Sequence, residues 1–178
     1  MTTKALKTQE LILETALKHF LKEGYAGASL RKIVKDAGLT TGAFYKYYPT
    51  KEMLFNALID PYLEEIYRIY DQVLDQFEKL SPNDQTKNMT QSSGDGLEQM
   101  VDYIYAHYDH FRLLLKCGDS GKYAEFMHNM VNREIKATHK YLDKMKETGI
   151  EVPEVSDLMM HMVYTCLLYT SDAADEED

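Results

Sequence analysis

No tryptophan occurs among the 178 residues, and only two cysteines and four prolines do. Cys117 and Cys166 are too few for a disulfide framework. No apolar run approaches the ~20 residues that cross a bilayer, and the N-terminus has no apolar signal core, so a cytoplasmic location without membrane contact is expected. Also missing are a glycine-rich phosphate loop after a strand, a nucleophile elbow and a His-Glu-x-x-His pair. Enzyme is therefore the weaker class, and no catalytic residue or cofactor is expected. His107 and His110, with Asp109, Asp119 and His128 near them in sequence, lack a fixed third and fourth ligand, so no metal site is expected either.

What the chain has in quantity is tyrosine, 14 residues, and methionine, 10, both suited to adaptable apolar packing. The net charge of -9 conceals a division. Residues 1–52 carry nine basic and five acidic side chains, and the remainder eleven and twenty-four. A basic head on an acidic body suits a protein that touches phosphate at one end only.

The most informative stretch runs from Ser29 to Lys51, SLRKIVKDAGLTTGAFYKYYPTK. Leu30, Ile33, Val34 and Ala37 fall at helical spacing, and Gly38 can end that helix in a sharp turn. A second, very short helix, roughly Thr41 to Tyr47, must follow. Thr40 and Thr41 offer hydroxyls to its first amides, Ala43, Phe44 and Tyr47 can face inward, and Pro49 stops it. Two short helices about a glycine turn form a helix-turn-helix, and a helix fits the major groove, ~12 Å wide. Ser29 and Thr50 would stand at helix N-termini that attract phosphate, while Arg31, Lys32, Lys46 and Lys51 add positive charge.

The block GYAGASLRKIVKDAGLTTGAFYKYYPTKEMLFNAL resembles the DNA-binding domain of the TetR/AcrR family of bacterial transcription regulators. Gly24-Tyr25, Ala37-Gly38-Leu39, Gly42, Phe44-Tyr45, Tyr48 and Lys51-Glu52 carry the match, which covers about the first third of the chain. By this resemblance Thr40, Thr41, Gly42, Tyr45, Lys46 and Tyr47 are the positions that meet DNA, with Tyr47 divided between contact and packing and Phe44 and Tyr48 assigned to the core. The implied protein is a dimeric repressor of a double-stranded operator, released by a small-molecule effector. The alternatives are a relative that activates or needs no small ligand and, more remotely, a helical enzyme or metal-binding bundle.

Elsewhere the periodicity predicts an all-α chain, with a three-helix head at 1–50 and an antiparallel helical body at 51–165; the resemblance implies effector binding and dimerisation for that body. The first helix is expected from about Thr8 to Glu23, ended by Gly24, with Lys4 and Lys7 on a mobile arm before it. Thr50 should cap a long helix that runs from the head into the body and kinks or breaks at Pro61. Ser81 to Gly96 is so poor in apolar residues that it reads as a surface loop. Leu97 to Lys116 should form one helix, or two joined near His107 to His110, and Lys122 to Glu147 a long amphipathic helix. A further helix should start near Glu154.

Effector binding inside the body is implied by the resemblance, and the candidate lining is Tyr67, Tyr70, Met100, Tyr103, Tyr105, His107, Phe111, Met127 and Met130, residues that could equally form a filled core. The end of the chain, CLLYTSDAADE from Cys166, looks like translated sequencing adaptor. On that reading 166–178 is a non-native tail, the natural protein continues beyond Thr165, and the homodimer belongs to the intact protein. The shortened end would leave Leu158, Met159 and Met162 uncovered.

Overall fold

The computed structural model describes residues 3–170; for residues 3, 89–93 and 167–170 it describes the backbone alone. The described residues form α-helices and one short 3-10 turn, with no strand among them. In chain order these are α1 (Thr3–Gly27), α2 (Leu30–Asp36), α3 (Thr41–Tyr45), α4 (Lys51–Glu78), α5 (Pro82–Ala106), α6 (Tyr108–Lys116), the 3-10 turn Gly118–Ser120, α7 (Lys122–Glu147) and α8 (Asp157–Thr170). Two compact units result. One holds Met1–Glu65 and Tyr103–Tyr123, the other Ile66–Asp102 and Ala124–Asp178.

The first unit is built on the apolar stripe of α1. Ile12, Ala16 and Phe20 are buried with Ile33, Val34, Phe44, Leu54, Phe55 and Leu58 from α2, α3 and α4. Phe20 meets Phe55 edge-on at 5.2 Å and stacks on Tyr25 at 6.0 Å. The helical path of α1 is interrupted at Gly24, where φ is 72° and ψ 177°. Its start lies earlier than the periodicity suggests. Lys4 and Lys7 sit on the helix, with the Thr8 hydroxyl donating to the Lys4 carbonyl at 2.9 Å, so there is no arm at these positions.

This unit is wider than residues 1–50, because α6 packs into it. Phe111, Leu113 and Leu114 are buried, Lys116 Nζ donates to the Leu21 carbonyl, and Asp119 accepts from the Ala26 amide at 3.0 Å. The break between α5 and α6 falls at His107, within the anticipated joint. Pro61 does not break α4, which is helical on both sides of it. The ring is exposed, and the helix forgoes only the one bond that the missing amide would have made to Ala57.

In the second unit α4 and α5 run antiparallel, Phe77 lying beside Gln85 and Val73 beside Gly96. A Cβ at Gly96 would stand 2.9 Å from Val73, so glycine permits this approach. The α4 and α7 pair runs in the same direction: Arg133 pairs with Asp71 at 3.1 Å and Lys140 with Glu78 at 2.8 Å. Val131, Ile135 and Met160 form a buried cluster against which Leu142, Val155 and Tyr164 pack. Met160 is thus the inward residue of α8, while Leu158, Met159 and Met162 are exposed, as the sequence suggested.

The expected loop over Ser81 to Gly96 is instead the first part of α5. Ser81 caps it, its hydroxyl accepting from the Asp84 amide at 3.2 Å and donating to the Asp84 carboxylate at 2.6 Å. Pro82 occupies the first helical position, where its missing amide costs nothing, and Asp84 suits the positive end of the dipole. The one inward anchor in this turn is Gln85, 2% exposed, whose amide donates to the Phe77 carbonyl at 2.8 Å. The tail expected from Cys166 enters α8 as far as Thr170, and residues 171–178 lie outside the described residues. No helix among the described residues is long and apolar enough to cross a membrane.

Phe20 is fully buried at the junction of α1 and α4, so Phe20→Ala should destabilise the chain by about 3–5 kcal/mol, read as an earlier urea midpoint.

Candidate nucleic-acid interface and effector cavity

The turn between α2 and α3 follows from its residues. Gly38 adopts φ 65°, a conformation that strains any side chain with a Cβ, and the Leu39 amide returns to the Val34 carbonyl at 3.2 Å. Thr40 then caps α3, its hydroxyl accepting from the Ala43 amide at 3.3 Å. The helix ends at Tyr45 rather than Tyr47, because the Tyr47 amide folds back onto the Phe44 carbonyl at 2.9 Å in a tighter turn. Pro49 therefore follows the end of α3 instead of causing it.

This short helix has two distinct sides. Phe44 and Tyr48 are buried, the Tyr48 hydroxyl accepting from Gln9 Nε2 at 3.0 Å. Thr40, Thr41, Gly42, Tyr45 and Lys46 are exposed, and Tyr47 and Ala43 are half-buried. On α2, Arg31 is exposed and Lys32 shares its charge with Glu23 at 3.5 Å. Ser29 caps nothing with its side chain, which leaves its hydroxyl uncommitted at the α2 N-terminus. Thr50 does cap α4, accepting from the Met53 amide at 3.1 Å.

Lys51, expected from its sequence position as a phosphate contact, has backbone partners in this structure. Its ammonium donates to the Ala28 and Ala26 carbonyls at 3.1 and 3.2 Å and lies 4.9 Å from the Tyr25 ring centroid. The side chain ties the start of α4 to the end of α1. Burial, followed by the Glu52 carboxylate, raises the Tyr25 pKa and keeps the ring neutral beneath that cation. Burial also pushes the Cys117 thiol up to about 11, far from a reactive thiolate.

The residues expected around an effector are divided between the units. Tyr103, His107 and Phe111 belong to the first, where Tyr103 and His107 lie 4.5 Å apart and His107 and His110 both face Tyr62. His110 Nδ1 lies 2.9 Å from the Leu58 carbonyl, and burial lowers its pKa. Tyr105 is exposed. Among the described residues no three His, Cys, Asp or Glu side chains converge as metal ligands.

Tyr70, Met100 and Met130 do come together, in a cavity of about 470 Å³ within the second unit. Tyr67 instead lies under Arg133 at 4.0 Å and accepts from Asn129 at 3.3 Å, and Met127 is buried. The rest of the wall, which includes Val73, Leu74, Phe77, Glu134, Thr138, Tyr141 and Tyr164, was not anticipated. Its signal was present in α7, where Met130, Glu134, Thr138 and Tyr141 recur on one helical face.

A capped five-residue helix with its apolar side buried and its polar side outward, following α2 across a glycine turn, defines a helix-turn-helix head. Residues 12–58 match the family described as bacterial regulatory proteins, tetR family. Over those residues the chain is similar to that family. Over 59 residues it is 39% identical to YuxN of Bacillus subtilis, an uncharacterized HTH-type transcriptional regulator, covering 33% of this chain and 20% of that one. Over 55 residues it is 36% identical to the HTH-type transcriptional repressor AcnR of Corynebacterium efficiens, covering 31% of this chain and 29% of that one. The matched stretch thus spans less than two-fifths of these curated relatives. The fold extends further: a transcriptional regulator of Aquifex aeolicus superposes with a TM-score of 0.52 at 20% identity, covering 92% of this chain and 99% of that one.

Lys51→Met should lower head stability by about 1–3 kcal/mol through loss of its charged hydrogen bonds, whereas Lys46→Met should leave stability nearly unchanged; thermal melts of the two variants compare them directly.

Proposed function

We propose that the chain is a cytoplasmic DNA-binding transcriptional repressor that acts as a homodimer and leaves its operator when a small molecule binds. Residues 1–50 serve as the DNA-binding domain and 51–165 as the effector and dimerisation domain. The observation that carries this reading is the outward row Thr41, Gly42, Tyr45 and Lys46 on a helix whose other side is packed away. Thr41 and Gly42 open that helix, where side chains meet base edges, and Tyr45, Lys46, Ser29 and Arg31 flank them as phosphate contacts. Thr40 contributes by holding the helix start, and Tyr47 is more packing than contact.

Dimerisation accounts for the exposed apolar face of α8, where Leu158 and Met162 are 72% and 66% exposed. A two-fold dimer sets its reading helices about 34–36 Å apart along a palindrome. Effector control requires a cavity ligand that binds one head spacing more tightly than the other. The repressor AcnR, similar over the head, supports the sign of regulation.

In gel shifts with the DNA flanking its own gene, Thr41→Ala should change base preference by about 1–3 kcal/mol at one position. Lys46→Ala should weaken all duplexes alike and reduce the salt slope by about one unit. Equal loss from both variants on specific and random DNA would reverse these assignments.

A further inference from the structure

Among the described residues, the cavity in the second unit has one charged side chain in its wall, Glu134. It is half-buried and has no cationic partner among the described residues, although Arg133, Lys140 and Lys144 on the same helix are all engaged with α4 or its end. A carboxylate withdrawn from water regains its lost hydration through a cation or through donors, and the wall supplies few. The Thr138 and Tyr164 hydroxyls are bonded to each other at 2.6 Å. Tyr70, 9% exposed, carries a buried hydroxyl outside strict hydrogen-bonding geometry, and the polar group it faces is the Glu134 carboxylate.

Burial first, and then the nearby Glu134 carboxylate, raises the Tyr70 pKa well above the ordinary phenol value, so the ring remains neutral. Neutral aromatic faces attract cations. Tyr70, Phe77, Tyr141 and Tyr164 therefore reinforce the sign of the carboxylate, while Leu74 and Met100 require an apolar body. An anionic ligand would face Glu134 with no countercharge among the described residues of the wall.

We infer that this cavity binds a lipophilic monocation, an ammonium-like charge at Glu134 and Tyr70 joined to an apolar body that fills the aromatic and methionine side. This deepens the effector reading and rests on it for its role in regulation; the binding itself can be measured without DNA.

Tetraphenylphosphonium and tetraphenylborate share one shape and carry opposite charges, so calorimetric titration of the full chain with each isolates the sign. The phosphonium should bind at least tenfold more tightly than the borate. Glu134→Gln, nearly isosteric, should abolish that preference, and Glu134→Asp should retain it with an unchanged thermal melt. Equal affinity, preference for the borate, binding of neither, or a preference that survives Glu134→Gln would overturn the assignment. Phosphonium binding that leaves operator affinity untouched would sink the effector reading alone. An anion that releases DNA from a protein that does not bind the phosphonium would sink the cation assignment alone.

Discussion

A helix of five residues cannot hold itself together, since one turn fixes several dihedrals for a single hydrogen bond. Everything in the head answers that constraint. Phe44 and Tyr48 anchor α3 from below, Thr40 closes its start, and Gly38 lets α2 hand the chain over without a longer loop. Beneath them Phe20, Tyr25 and Phe55 form one aromatic group, with the edge-on pairs at 5.2 and 5.1 Å. Lys51 and Asp119 then close the end of α1, taking the Ala26 carbonyl and amide respectively. Of the outward side chains Thr41 and Lys46 are left free of structural work, while Thr40 caps the helix and Tyr45 meets the Phe44 ring edge-on at 5.6 Å.

The second unit uses polar contacts differently. Along α4 and α7, ion pairs lie at the exposed edge, where each contributes little stability but restricts register, while Val131, Ile135 and Met160 supply the buried area. Lys144 is a further clamp, donating to the Glu78 and Leu80 carbonyls at 2.7 and 2.6 Å and so satisfying the last turn of α4. Glu134 stands apart from this pattern, since its neighbour on α4 is the Tyr70 phenol at the cavity wall.

The head was legible because its apolar spacing, caps and glycine turn agree with one another, and each is local. The backbone ties of Lys51 were hidden for a nonlocal reason: its partners are carbonyls more than twenty positions away, and lysine at a helix start looks the same whether it faces phosphate or backbone. The inclusion of α6 in the first unit was likewise invisible, because contacts such as Lys116 with Leu21 join distant segments. Ser81 to Gly96 misled in the opposite direction. Its Ser-Pro-x-Asp start is a helix signal, but the low apolar content outweighs it, and the buried anchor of its first turn is a glutamine. Of the cavity, Tyr70, Met100 and Met130 could be foreseen from aromatic and methionine spacing, whereas Glu134, although it shares the α7 face of Met130, Thr138 and Tyr141, reads as a solvated acid on an amphipathic helix.

The central claim is that α3 is held ready in the free protein and is the element that duplex DNA covers. Amide hydrogen exchange on the full chain, alone and with a duplex enriched from a random pool, measures both parts. The account predicts slow exchange at Phe44 and Tyr48 without DNA, and added protection across 40–46 with the enriched duplex but not with a scrambled one. Failure to enrich any duplex, or protection that falls elsewhere while α3 is unchanged, would contradict it.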